Sequence, residues 1–86
     1  MMGYDVLRVT VLRVHGLRVV IYANDHDPAH VHVFRDGEAK INLIGRGGLP
    51  ELVWAEGMSR GEVRRTMQAI TGQQAVLLAR WREIHG

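Results

Sequence analysis

Apolar residues follow one spacing in the first half of the chain and another in the second half. Apolar and polar positions alternate over residues 6–14, 17–22, 30–34 and 38–43, where β-branched residues are frequent, as is typical of half-buried strands. After residue 59 the apolar residues recur at intervals of three and four, as they do on one face of a helix. Strands followed by helices predict an α+β fold: an antiparallel sheet of about four strands followed by two helices packed on one face.

Local signals place the ends of the helices. Ser59 and Glu62 have the spacing of a capping box, so the first helix is expected to begin after Ser59. Thr71-Gly72 interrupts the helical pattern and separates the two helices. A short apolar run over 52–55 precedes them and is a candidate edge strand. The residues expected in the core are Val63, Met67 and Ile70 on the first helix and Leu77, Trp81 and Ile84 on the second.

The turns between strands determine which residues lie opposite each other. His15-Gly16 separates the first two strands, and the glycine there can adopt the positive φ that a hairpin requires. Between the third and fourth strands, a three-residue loop ending in a left-handed Gly37, a G1 bulge, sets His32 opposite Lys40. A two-residue turn would mix polar and apolar residues on both faces, so we expect the three-residue loop.

The length and composition exclude several classes of protein. The chain has 86 residues, enough for one domain, which is expected over 1–86. No cysteine is present, so neither a disulfide nor a thiolate ligand or nucleophile is available. No apolar run is long enough to cross a bilayer, and the first residues lack the basic and apolar regions of a signal peptide. We therefore expect a cytoplasmic protein with no membrane association.

Arginine supplies nearly all of the positive charge. Of the 11 basic residues, Lys40 is the single lysine, and the formal net charge is +2. The planar guanidinium group suits phosphate and carboxylate groups, so nucleic acid is a candidate partner. A GC-rich genome would also favour arginine codons, and we prefer that explanation of the bias.

The densest group of reactive side chains lies between residues 24 and 33, where three of the five histidines occur. His30 and His32 alternate on a strand and therefore share a face. Such a pair can bind Zn²⁺ with His26 or Asp25 of the preceding loop as a third ligand. The candidate metal ligands are therefore His26, His30 and His32.

Two other interpretations fit the same histidines. Together with Lys40, His30 and His32 could serve as general acid, general base and phosphate clamp in metal-free RNA cleavage, and these three residues are the catalytic candidates. Alternatively, the histidines form hydrogen bonds within the loop and tie Asp25 to the strand. We favour this structural role, and we expect no cofactor and no loss of thermal stability with EDTA.

The sheet face turned away from the helices is the second candidate site. If Val31 and Val33 face the helices, this opposite face presents basic and aromatic side chains. Arg8, Thr10 and Leu12 could join it from the first strand. Such a mixture can bind single-stranded nucleic acid or form an interface between protein chains, and it also occurs on ordinary solvated faces. The candidate binding residues are Arg18, Tyr22, His30, His32, Phe34 and Lys40.

The sequence between Tyr22 and Val33, Tyr-Ala-Asn-Asp-His-Asp-Pro-Ala-His-Val-His-Val, resembles the signature of a small bacterial family called domain of unknown function 4160. That family has an Asp-His-x-Pro-Pro-His-x-His core after a strand. The similarity continues through 37–43, 50–54 and 81–86, and so covers nearly the whole chain. Ala29 stands where the family often has a second proline, which loosens the loop but retains all three histidines.

The resemblance implies a context rather than a reaction. Members are small stand-alone proteins with no established activity, and some lie beside genes for another small protein, as toxin–antitoxin pairs do. The function expected from this context is a protein-interaction module, either a homo-oligomer or a complex with a small partner protein, with nucleic acid as a further candidate partner. The alternative is a small ribonuclease-type or metal-binding enzyme centred on the histidine cluster.

Overall fold

The computed structural model describes residues 8–86, with side chains from residue 9 onward. Five strands form an antiparallel sheet in chain order, and two helices follow them. The predicted α+β fold is confirmed, and the candidate edge strand is the fifth strand. The elements are β1 (Arg8–Val14), β2 (Leu17–Tyr22), β3 (His30–Phe34), β4 (Glu38–Asn42), β5 (Glu51–Glu56), α1 (Arg60–Gly72) and α2 (Gln74–His85).

One face of the sheet packs against both helices and forms the core. Alternate residues of β2, β3 and β4 point to this inner face, because successive side chains of a strand lie on opposite faces. Full burial of one aliphatic side chain contributes about 1.5–3 kcal/mol, so this layer holds the sheet and helices together. The buried cluster consists of Leu17, Val19, Ile21, Val31, Val33, Ala39, Ile41, Leu43, Ile70, Leu77 and Trp81.

The first hairpin has a two-residue turn and a bulge. His15 and Gly16 both have positive φ, 50° and 79°, which agrees with the expected turn at the glycine. The pairing shifts between Thr10 and Leu12, so Leu12 lies opposite Val19 and packs against the core. The expectation that Leu12 joins the outer face is therefore wrong, because the bulge reverses the alternation. The side chain of Arg8 and the expected strand residues 6 and 7 lie outside the described part.

The second hairpin has the predicted register but a different turn. His32 lies opposite Lys40, and the last pair, Phe34 with Glu38, leaves a three-residue loop. Gly37 does not have the predicted left-handed conformation, since it is absent from the glycines with positive φ. A Cβ atom at Gly37 would instead collide with the backbone of Glu56 and its neighbour, so glycine is required there for close approach of the chain after β5.

The first helix begins at the predicted capping box, but it continues through Thr71-Gly72, where the interruption was expected. The Ser59 side chain accepts a hydrogen bond from the Glu62 N–H, and the Glu62 carboxylate accepts one from the Ser59 N–H, which completes the capping box. Gln73 lies between the two helices. None of the helices in residues 8–86 has the length and apolar character needed to cross a membrane.

Candidate functional site

The loop between β2 and β3 brings an acidic side chain over the start of β3. The Asp25 N–H donates to the carbonyl oxygen of Tyr22 (3.0 Å), which turns the chain directly after β2. The Leu43 N–H donates to the Ala29 carbonyl (2.9 Å) and anchors the other end of the loop beside β4. The Asp25 carboxylate therefore lies next to the first histidine of β3.

His30 has an acceptor beside each ring nitrogen. Its Nδ1–H donates to the carbonyl oxygen of Pro28 (2.9 Å), and its Nε2 lies 2.8 Å from Oδ2 of Asp25. A neutral imidazole carries one proton, and both the carbonyl and the carboxylate can only accept, so a neutral ring cannot donate to both. If the proton is on Nδ1, Nε2 faces the carboxylate with a lone pair. The two short contacts together are satisfied by a second proton on the ring or by a bound cation at Nε2.

His32 repeats this arrangement on the same sheet face. Its Nδ1 lies 3.1 Å from Oε2 of Glu38, and its Nε2 lies 3.9 Å from Oδ2 of Asp25. The Glu38 carboxylate can only accept a hydrogen bond, so it keeps the proton on Nδ1. The Nε2 atoms of both histidines therefore converge on the Asp25 carboxylate.

Asp25, His30 and His32 together have the composition of a metal site. One ligand atom from each lies within 4.8 Å of the other two. Ligands of a tetrahedral zinc ion are separated by about 3.4 Å when each bond is about 2.1 Å long. To enclose an ion, His30 Nε2 and Asp25 Oδ2 would move apart from 2.8 Å, and His32 Nε2 would approach Asp25 Oδ2 from 3.9 Å. Two imidazoles and a carboxylate suit zinc and other first-row divalent metals, and they leave a coordination position for water or substrate.

Aromatic rings surround the two histidines. The ring centres of Tyr22 and Trp54 lie 5.0 and 6.0 Å from that of His32, and Trp81 lies 5.2 Å from His30. His30 is 5% exposed. These rings limit the movement of the imidazoles and reduce the access of water, which strengthens electrostatic interactions at the cluster.

The structure brings some predicted site residues together and leaves others apart. His26, a predicted metal ligand, is exposed and lies outside the cluster, where Asp25 takes the third position. The structure therefore places Asp25, the alternative loop residue, and not His26 beside the two strand histidines. Lys40 lies opposite His32, but it forms no ion pair with any residue in 8–86. The expected hydrogen bond that ties Asp25 to the strand is present.

Two members of the site were missed by the sequence reasoning. The first is Glu38, whose contact with His32 the sequence analysis does not predict. The strand register indicates this contact, since Glu38 lies two positions before Lys40 on β4 and is therefore diagonal to His32. Trp54 lies opposite Lys40 on β5, where a bulge sets the register, and no sequence signal located that bulge.

The fold and the site define a class: an α+β protein in which a histidine-rich loop and strand meet on the outer face of an antiparallel sheet. The chain belongs to the family described as Domain of unknown function (DUF4160), whose model matches residues 16–82. This range contains Asp25, His30, His32 and Glu38. Neither the curated proteins nor the solved structures include a significant match.

Proposed function

We propose that the protein binds one divalent transition-metal ion, with zinc as the reference ion, through Asp25, His30 and His32. The observation that supports this function is the pairing of every ring nitrogen in the cluster with an acceptor. Both Nδ1 atoms face oxygen atoms, of Pro28 and Glu38, so protons on Nδ1 would leave the Nε2 lone pairs and the Asp25 carboxylate converging on one point. A metal ion supplies the missing positive charge.

The far sides of the rings support the same assignment. Histidine ligands of metal ions commonly donate their other N–H to a carboxylate or a backbone carbonyl, which fixes the ring and makes the ligand nitrogen more basic. His30 uses the Pro28 carbonyl in this way, and His32 uses Glu38. With three protein ligands, one position remains for water, and a divalent ion would make that water a better nucleophile.

A zinc titration of metal-free, untagged protein tests the proposal. We expect one ion per chain by calorimetry, and roughly a 100-fold or greater loss of affinity in His32→Ala. Loss of a metal ligand should weaken binding more than loss of a residue that only forms a hydrogen bond with a ligand. His26→Ala is the matched control: it removes an exposed histidine of the same loop and should bind zinc as the parent does. Absence of binding by the parent, or equal loss in His26→Ala, would contradict the proposal.

An enzymatic form of this function is a ribonuclease that uses His30, His32 and Lys40. It is supported by the position of Lys40 opposite His32 on the same face, where a cation can hold a phosphate group. An active ribonuclease should arrest growth of the host that expresses it, and Lys40→Met should relieve the arrest without loss of zinc binding. Normal growth of cells that express the parent protein would argue against this activity.

The outer sheet face supports a second candidate function, association with another protein chain. Apart from Trp81, whose ring lies 5.2 Å from that of His30, the core residues of both helices pack on the opposite face. The outer face carries the Arg18 guanidinium 5.0 Å from the centre of the Phe34 ring. Aromatic and arginine side chains are enriched at protein interfaces. We propose a second copy of the chain as the partner, and a toxin–antitoxin partner or single-stranded nucleic acid would be alternative occupants.

Sedimentation velocity distinguishes these occupants. If the parent forms a homodimer, Phe34→Ser should shift the dimer toward monomer. Leu49→Ser is the control: it changes a 62% exposed apolar residue outside the face and should leave the dimer unchanged. A parent that is monomeric at all concentrations would exclude the second copy. Added single-stranded DNA should leave the sedimentation of a protein-interaction module unchanged.

A further inference from the structure

A cavity lies at the opposite end of the sheet from the histidine cluster. It is about 380 Å³ in volume, within the range of pockets that hold small molecules. The turn of the first hairpin, the loop between β3 and β4, and one side of α1 enclose it. Its apolar lining comes from Leu17, Met58 and Ala69.

The polar part of the cavity carries more positive than negative charge. Arg35 and Arg65 both line it, and neither forms an ion pair within 4.0 Å among the residues that the structure describes. Glu62 is the one acidic residue in the lining, and its carboxylate already accepts a hydrogen bond from the Ser59 N–H (2.8 Å). The lining therefore contains two guanidinium groups and one carboxylate, and the carboxylate is held at the helix end by its hydrogen bond to Ser59.

A polar residue also lies in the lining of the cavity. Thr66 is 2% exposed and is one of two buried polar residues in the described part of the chain. Its hydroxyl group could form a hydrogen bond with a polar atom of a ligand in the cavity.

We propose that this cavity binds a small organic anion with an apolar body. Arg35 and Arg65 would hold the anionic group, because charge-assisted hydrogen bonds to guanidinium are stronger than neutral ones. The apolar body would lie on Leu17, Met58 and Ala69, of which Met58 and Ala69 are only partly buried. The site is separate from the metal cluster and does not depend on it.

Octanoate titrated into metal-free protein, followed by amide chemical shifts, tests this site. We expect shifts at Leu17, Thr66 and Ala69, and about tenfold weaker binding in Arg35→Gln and in Arg65→Gln, as expected for loss of one charge-assisted hydrogen bond. Arg64→Gln is the control, because Arg64 is an exposed neighbour on α1 outside the cavity lining. Far-UV circular dichroism checks that each variant is folded.

Two further probes separate the parts of the ligand. Octanol retains the apolar body without the charge, and inorganic phosphate retains charge without the body; both should bind at least about tenfold more weakly than octanoate. The proposal is overturned if octanoate does not bind at millimolar concentration. It is also overturned if octanol or phosphate binds equally well, or if Arg64→Gln weakens binding as much as the two cavity variants. Loss of zinc binding in His32→Ala should leave octanoate affinity unchanged.

Discussion

The Nε2 atom of His30 lies 2.8 Å from Oδ2 of Asp25, while Nδ1 of the same ring donates to a backbone carbonyl. The contact therefore joins the loop to β3 only if a positive charge is present between the two groups. A doubly protonated ring and a bound metal ion both provide that charge. The two possibilities differ in how the protein responds to substitutions at Asp25.

The first prediction concerns Asp25→Asn. The amide of asparagine can donate to the Nε2 lone pair of a neutral His30, so metal-free protein should keep its melting temperature within about 2 °C at pH 7. Zinc affinity should fall at least 100-fold on an order-of-magnitude scale, because the anionic ligand is lost. Thermal unfolding with and without zinc measures both effects.

Asp27→Asn serves as the control, since Asp27 is an exposed carboxylate of the same loop and lies outside the cluster. Zinc should raise the melting temperature of this control and of the parent by about 10 °C or more at a hundredfold excess over the dissociation constant. A strongly destabilised, metal-free Asp25→Asn protein would instead indicate that the parent holds a charged imidazole pair.

The second prediction tests the role of Glu38 as a positioning residue. Glu38→Gln removes the negative charge from the partner of His32 Nδ1 but keeps an oxygen acceptor at 3.1 Å. Zinc affinity should fall about 10- to 100-fold while one ion per chain is still bound. Glu51→Gln, at an exposed position of β5, should bind zinc as the parent does. Unchanged affinity in Glu38→Gln would remove Glu38 from the site.

The strand register could be predicted from the sequence, whereas the geometry of the third ligand could not. Alternation of apolar residues fixes which face His30 and His32 occupy, because a shift by one residue would turn both side chains to the face that packs against the helices. The loop residues Asp25 and His26 have no such periodicity. Their positions follow from the Asp25 N–H bond to the Tyr22 carbonyl, a contact that residue order alone does not specify.

Gly37 shows that the strand register can be predicted correctly even when the conformation of the turn is predicted wrongly. The hydrophobic pattern places Val33 opposite Ala39 whatever the loop conformation, and this pairing is present. The glycine itself was assigned to a left-handed φ, but the structure requires it for the passage of Glu56 and Gly57, nearly 20 residues later in the chain. Long-range approach of this kind leaves no local signal in the sequence.

The third prediction follows from that close approach. Gly37→Ala should destabilise the protein by about 2 kcal/mol and lower its melting temperature by about 10 °C, because the added methyl group meets backbone rather than a movable side chain. Gly47→Ala is the control, since a Cβ atom there meets nothing within 4 Å and the residue lacks a positive φ. Its stability should be unchanged or slightly higher. Equal effects of the two substitutions would contradict the steric explanation.

The fourth prediction concerns acid and the capping box of α1. The pKa of Glu62 is lowered first by the hydrogen bond from the Ser59 N–H, then by the Ser59 side chain, with smaller effects of Arg35 and Arg65. Because the pKa of Glu62 is lower in the folded than in the unfolded protein, the ionised carboxylate stabilises the fold at pH values above the unfolded-state pKa of about 4.3. This contribution is lost as the pH falls through the folded-state pKa.

Glu62→Gln keeps the acceptor but not the charge, so this variant should melt about 2–4 °C below the parent at pH 7. At pH 3 the difference in melting temperature between parent and Glu62→Gln should be smaller. Glu56→Gln, at the exposed end of β5, is the control and should show no such pH-dependent difference from the parent. A gap of the same size at both pH values would show that the charge of Glu62 does not stabilise the helix.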